Sequence, residues 1–208
     1  MVSLVIFCSV VQVLTQESRA PAELDKKAQK FLTENRTRWH DLNVSYEDGK
    51  VLHDLIIKNN YRSALEIGTS TGHSGIWIAW ALSKTGGRLI TIEIDEGRHK
   101  TALRNFMAAG VEKIIDARLA DAHSMVKRLE GPFDFVFLDA DKEGQMDYFK
   151  KLYPRKLSMG GIIAVHNAIS QATWMRDYLD MIRKHPDFDT VTLSLTMDDG
   201  FCVSYRHR

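Results

Sequence analysis

The run Ser63-Ala64-Leu65-Glu66-Ile67-Gly68-Thr69-Ser70-Thr71-Gly72-His73-Ser74-Gly75 passes from an apolar strand pattern, through a glycine-bearing loop, into the start of a helical pattern. The same change of period repeats downstream. Short apolar runs at Arg88 to Ile94, Ile114 to Leu119, Phe133 to Leu138 and Gly161 to Val165 alternate with helical patterns at 73–83, 96–109, 122–129 and 143–153. Strands and helices alternating in this way predict a parallel sheet covered on both faces. Upstream lie two helices. Leu24, Ala28, Phe31, Leu32 and Trp39 recur at helical spacing, and a Ser45-x-x-Asp48 capping signature precedes Val51, Leu52, Leu55 and Ile56.

The rhythm changes near the C-terminus. A helix carrying Ala172, Met175, Tyr178, Leu179 and Ile182 ends at His185-Pro186, and the strands Thr190 to Thr196 and Phe201 to Arg206 flank an Asp198-Asp199-Gly200 turn. Two strands joined so closely must be antiparallel neighbours. The prediction is an α/β fold: a doubly wound, Rossmann-like, mostly parallel seven-stranded sheet finished by an antiparallel hairpin, the ending expected of a class I methyltransferase.

Composition agrees with one compact unit. The chain has 208 residues, formal net charge +1, 44% apolar and 26% charged residues, and only 4 Pro. Those values exclude disordered, collagenous and disulfide-dense classes. The near-neutral balance argues against a nucleic-acid partner, since phosphate binding usually needs a visible basic excess. Lys150-Lys151, Arg155-Lys156 and Arg206 to Arg208 are basic and keep an RNA-modifying role as a rival, but they read better as solvated surface. Cys8 and Cys202 form neither a disulfide framework nor a Cys-rich metal site.

Residues 1–20 are set apart as an apolar leader or anchor, with the domain at 21–208. Leu4 to Leu14 is apolar except at Ser9 and Gln12, and Ser18 and Ala20 imitate a cleavage site. A bilayer span takes about 20 residues, so the run is too short to cross. No Lys or Arg precedes it, and Pro21 would follow the cut. Two readings stay open: an exported or periplasmic chain with a cleaved signal peptide, or a retained helix packed on the domain or a membrane surface. Without a leader the expected compartment is cytoplasmic.

In a doubly wound sheet, ligands bind beyond the carboxyl ends of the strands. The first strand tip carries Glu66-x-Gly68 and a further Gly four residues later, which is not the G-x-G-x-x-G of dinucleotide binding. An acid there suits a ligand with a cationic amino acid part and would repel a pyrophosphate, which favours S-adenosylmethionine over NAD. The second tip, Thr91-Ile92-Glu93-Ile94, places a carboxylate to accept from ribose hydroxyls. At the third, Asp121 can accept from an adenine amino group while the Ala122 N–H donates to the ring. Thr69 and Ile94 flank these positions as further cofactor-binding candidates.

The fourth tip is Asp139-Ala140-Asp141-Lys142 and the fifth His166-Asn167. Strands four and five are neighbours in this topology, so Asp139, His166 and Asn167 can converge as ligands for a divalent cation. A free lysine amine, with a pKa of about 10.4, is a poor base at neutral pH, but a nearby cation disfavours its charged form. Lys142 is therefore the candidate base. His166 is the alternative base, if the reaction needs no metal.

At these residues the chain resembles the cation-dependent O-methyltransferases, the family of catechol and caffeoyl-coenzyme A O-methyltransferases, over roughly residues 40 to 206. The resemblance implies cofactor contacts from Val44, Gly68, Ser74, Glu93 and Ala122, a metal at Asp139, a base at Lys142, and a homodimer. Two departures stand out. The family's usual Asp-Asn at the fifth tip is His166-Asn167 here, which favours Mn²⁺, Fe²⁺, Co²⁺ or Zn²⁺ relative to Mg²⁺. A Glu that orients the catechol hydroxyl is matched by Cys202. The expected function is methyl transfer from S-adenosylmethionine to a small catechol-like aromatic, and the rival from another class is a non-catalytic binder of that cofactor.

Overall fold

A computed structural model describes residues 22–39, 42–194 and 199–208. The expectations for residues 1–20, including Cys8, and for Asp198 fall outside them. Among the described residues no helix is long and apolar enough to cross a membrane.

Helix α1 covers residues 22–34. The remaining elements are α2 (Tyr46–Asn59), β1 (Ser63–Ile67), α3 (His73–Thr85), β2 (Arg88–Glu93), α4 (Glu96–Ala109), β3 (Ile115–Leu119), α5 (Ala122–Arg128), β4 (Phe133–Leu138), α6 (Gln145–Leu152), β5 (Leu157–His166), α7 (Arg176–Lys184), β6 (Phe188–Leu193) and β7 (Phe201–Arg206). A single turn of tighter helix, Lys142–Gly144, leads into α6. The seven strands form one sheet in the order β3-β2-β1-β4-β5-β7-β6. β1 through β5 pair in parallel, while β7 runs antiparallel to both β5 and β6.

Strand alternation divides the core between the two faces. Leu65, Ile67, Val136, Leu138, Ile163 and Val165 pack beneath α5, α6 and α7. Ala64, Phe135, Phe137, Ile162 and Ala164 face the other way, onto α2 and α3. A third cluster joins α1, α3 and α4 through Leu32, Trp77 and Phe106. These central strands are apolar on both sides, as a sheet sandwiched between helix layers requires.

Several boundaries differ from the sequence reading. α1 stops at residue 34, and Trp39 lies past its end, stacked on the His73 ring at 4.4 Å. β5 begins at Leu157, not Gly161, with a register irregularity against β4. α7 begins at Arg176, so Ala172 belongs to the turns that follow β5. The first hairpin strand starts at Phe188, because Phe188 joins the core beside Tyr178 and Leu179.

Candidate active site

Strand order reverses between β1 and β4, and a cleft of about 730 Å³ opens there, beyond the strands' carboxyl ends. Gly68, Glu93, Ala122, Asp139, Lys142 and His166 line it, with Ile94, Asp121 and Asn167 on the same wall. Nine of the sequence-derived candidates thus meet in one space. Val44, Glu66, Thr69 and Ser74 are instead buried and absent from the lining, forming the layer behind it.

The β1–α3 loop shows why glycine stands at its start. Gly68 has φ +98°, and a Cβ there would lie 2.5 Å from the Asp139 carbonyl oxygen, so the loop rests directly on the tip of β4. Behind it, the Thr91 hydroxyl donates to Glu66 Oε2 at 2.5 Å, while Oε1 has no partner among the described residues. Burial lifts the Glu66 carboxyl to about 7; the Ser74 and Thr91 hydroxyls oppose that rise, and the Asp139 and Glu93 charges add to it. A buried acid with an unused oxygen behind a glycine loop suits a ligand bearing an ammonium group. Val44 is tied in through its carbonyl, which accepts from His73 Nδ1 at 2.9 Å. His73 Nε2 in turn accepts from Trp77 Nε1 at 3.1 Å, so the ring is neutral with its proton on Nδ1.

Glu93 is anchored by three backbone donors. Its Oε2 accepts from Ser70 N at 2.7 Å, and Oε1 from Ile94 N at 3.0 Å and Asp95 N at 2.9 Å. These donors fix the direction of the carboxylate. Asp121 caps α5, accepting from His123 N at 3.2 Å and Ser124 N at 3.0 Å, so it borders the cleft while stabilising the helix.

At the far side, Lys142 Nζ donates to Asp139 Oδ1 at 2.6 Å. His166 Nδ1 lies 3.3 Å from Asp139 Oδ2, and His166 Nε2 lies 3.4 Å from Asp48 Oδ2. Burial pulls the imidazole's pKa down, but the Asp139 and Asp48 carboxylates outweigh it and hold it at about 9. Asn167, at φ +59°, donates through Nδ2 to Asp199 Oδ1 at 3.0 Å. Donor atoms of Asp48, His166 and Asp199 all lie within 4.8 Å of one another. Two carboxylates and an imidazole are a fitting donor set for a divalent first-row cation.

Asp48 and Asp199 escaped the sequence reading of the site. One was read as part of a helix cap and the other as a turn residue; only their approach to His166 gives them a further meaning. His123 was also missed: it bridges Asp147 and Asp141 through its two ring nitrogens and stacks on Tyr148 at 4.4 Å. Cys202, by contrast, is fully buried in the core beneath α7 and does not border the cleft. The residue that reaches the cleft from the start of the last strand is Asp199.

This sheet order with a ligand cleft at its reversal point defines the class I methyltransferase architecture. The family description "O-methyltransferase" matches residues 16–199. Catechol O-methyltransferase of Niastella koreensis is 37% identical over 60% of this chain and 57% of its own length, so the match spans little more than half of that relative. Catechol O-methyltransferase of Mycobacterium tuberculosis is 33% identical over 77% of this chain and 79% of its own. The structure of the O-methyltransferase TomG from Streptomyces achromogenes, involved in tomaymycin synthesis and complexed with S-adenosylmethionine, is similar with TM-score 0.74 and 28% identity, covering 89% and 90% of the two chains. The chain belongs to the O-methyltransferase family of S-adenosylmethionine-dependent enzymes, alongside the catechol and caffeoyl-CoA O-methyltransferases.

Proposed function

We propose that this protein transfers the methyl group of S-adenosylmethionine to a hydroxyl of a small aromatic acceptor that carries an adjacent oxygen, with help from a divalent cation. The carrying observation is that the Gly68 loop and Glu93, which suit the cofactor, share one cleft with Lys142 and His166, which suit the acceptor. The names of the relatives, catechol and caffeoyl-CoA O-methyltransferases, point to the same acceptor class.

Glu93 accepts from the ribose, Asp121 and the Ala122 N–H meet the adenine, and the β1–α3 loop receives the methionine part, with Glu66, Thr69, Ser74 and Val44 supporting it from behind. Lys142 Nζ takes the acceptor's hydroxyl proton. The oxygen then forms its bond to the methyl carbon as the carbon–sulfur bond breaks, leaving S-adenosylhomocysteine. A cation at the His166 side would stabilise the deprotonated acceptor oxygen. Charge on sulfur disperses during transfer, so the walls contribute mainly alignment and exclusion of water. His166 as the base is disfavoured, because the carboxylates on both sides of its ring hold its proton.

Labelled methyl transfer to a catechol and phenol panel, run with chelator and then with each divalent ion, tests the reading. Lys142→Ala should lower turnover by about 10² to 10⁴ while leaving cofactor affinity within a few fold. Unchanged methylation in that variant would remove Lys142 from its role. Cofactor binding without transfer to any acceptor would turn the reading to a non-catalytic binder.

A further inference from the structure

We propose that His123 is a positioning residue for methyl transfer: its ring, hydrogen-bonded at both nitrogens, ties the start of α5 to the segment 139–142 and so sets where Lys142 points. The inference rests on the reading above, in which Lys142 Nζ takes the acceptor's proton.

Different parts of the chain hold the two acids of that segment. Asp139 N donates to Ile67 O at 2.9 Å, and Asp139 Oδ1 accepts from Lys142 Nζ at 2.6 Å. Asp141 is engaged elsewhere. Its Oδ2 accepts from His123 Nε2 at 3.2 Å and its Oδ1 from the Tyr148 hydroxyl at 2.7 Å, so α5 and α6 each hold one oxygen. His123 is secured in turn: Nδ1 donates to Asp147 Oδ2 at 2.5 Å, and the ring stacks on Tyr148 with centroids 4.4 Å and planes 15° apart. The contact is close. A Cβ at Gly144 would fall 2.0 Å from Asp141 Oδ2 and 2.9 Å from His123 Cε1.

Carboxylates accept, so a ring that faces one at each nitrogen carries both hydrogens and is the imidazolium. The charged groups around it are Asp141, Asp147 with its partner Lys151, and Asp121 at the start of its own helix. Burial opposes the charge, but Asp147 and Asp141 outweigh it and raise the ring's pKa above its ordinary value. His123, Asp141, Lys142 and Tyr148 border the cleft together with Asp121 and Ala122, so the bridge runs from the end assigned to adenine to the end assigned to the acceptor. Half-exposed ion pairs such as His123 with Asp141 add little to stability. A misplacement of about 1 Å at a reacting group, by contrast, can slow a reaction about 10²-fold. The bridge should therefore show in turnover and not in melting.

The test uses the full chain and an acceptor from the catechol and phenol panel. His123→Ala should lower kcat about 10- to 10²-fold, with S-adenosylhomocysteine affinity and melting temperature close to wild type. Asp141→Asn should cause a similar loss, and the two losses should not add in the double variant. Imidazole should restore turnover to His123→Ala, and 1-methylimidazole, whose cation has a single N–H, should restore less. Nitrogen NMR of the wild type at neutral pH should show hydrogen on both His123 ring nitrogens. Wild-type kcat in His123→Ala, additive losses, equal rates with the two imidazoles, or a ring with one bare nitrogen overturns the bridge. Failure of the underlying reading looks different: Lys142→Ala then methylates as fast as wild type, whereas a failed bridge leaves Lys142→Ala slow and His123→Ala fast. Where no panel compound is methylated, the reading fails and the NMR result alone decides the bridge.

Discussion

Burial drives two ionisable side chains around the β1–α3 loop in opposite directions, and both effects can be measured. His73 is fully buried, and burial takes its pKa from 6.5 to about 4, against the raising effects of the Val44 carbonyl and the Asp48 and Glu47 charges. Because the native value is depressed, the unfolded chain binds the extra proton first. The contribution of neutral His73 to stability is present above pH 6.5 and is lost as pH falls through about 4. Urea denaturation between pH 7.5 and 4.5 should show a falling limb that flattens in His73→Gln; an unaltered slope would contradict the buried neutral ring. Glu66 is shifted the other way, to about 7. A cationic amino acid group favours its ionised form, so S-adenosylhomocysteine should bind more weakly as pH drops from 8 to 6, with proton release that calorimetry in buffers of different ionisation enthalpy detects. Glu66→Gln should abolish that release. Glu66 and Glu93 were legible as strand-tip acids because each stands within one residue of the end of an apolar strand run. Asp48 and Asp199 were not, because their role depends on His166, distant along the chain from Asp48.

At the scale of elements, α2 matters beyond its own stability because it delivers Asp48. Its N-cap is Ser45, whose hydroxyl accepts from Asp48 N at 3.0 Å, as the capping signature predicted. Ser45→Ala should cost about 1 kcal/mol in chemical denaturation. One turn further on, Gly49 lets α2 lie against α3: a Cβ there would fall 2.1 Å from Trp77 Cδ1. Gly49→Ala should therefore force the helices apart, costing about 1 to 3 kcal/mol; a melting temperature equal to wild type would refute that close contact. Element types were readable from periodicity almost throughout. The failures at Trp39 and Ala172 share a cause, since both residues sit at helical spacing where the backbone has already left the helix. Trp39 is drawn onto His73, and the backbone after Asn167 bonds back to the approach to β7, with Ala168 N donating to Gly200 O at 3.0 Å.

For the molecule as a whole, the cleft lies between strands belonging to both halves of the sheet, so a ligand seated there links them. Binding only to the native state stabilises by about 2.7 kcal/mol at a hundredfold excess over Kd. For a chain of this size that corresponds to a rise in Tm of about 5 to 10 °C. S-adenosylhomocysteine should produce such a shift in a thermal scan and NAD should not; the reverse would overturn the cofactor assignment.

By itself the sequence determined the layered α/β sheet, its terminal hairpin and the strand tips that border the cleft, because alternation of apolar period and turn residues are local properties that burial then enforces. What the tertiary structure alone decided is which side chains meet: that Asp139 pairs with Lys142, that Asp48 and Asp199 approach His166, and that Cys202 turns into the core. Such encounters depend on sheet order and on the angles at which helices and loops dock. Spacing along a chain does not encode those angles one residue at a time.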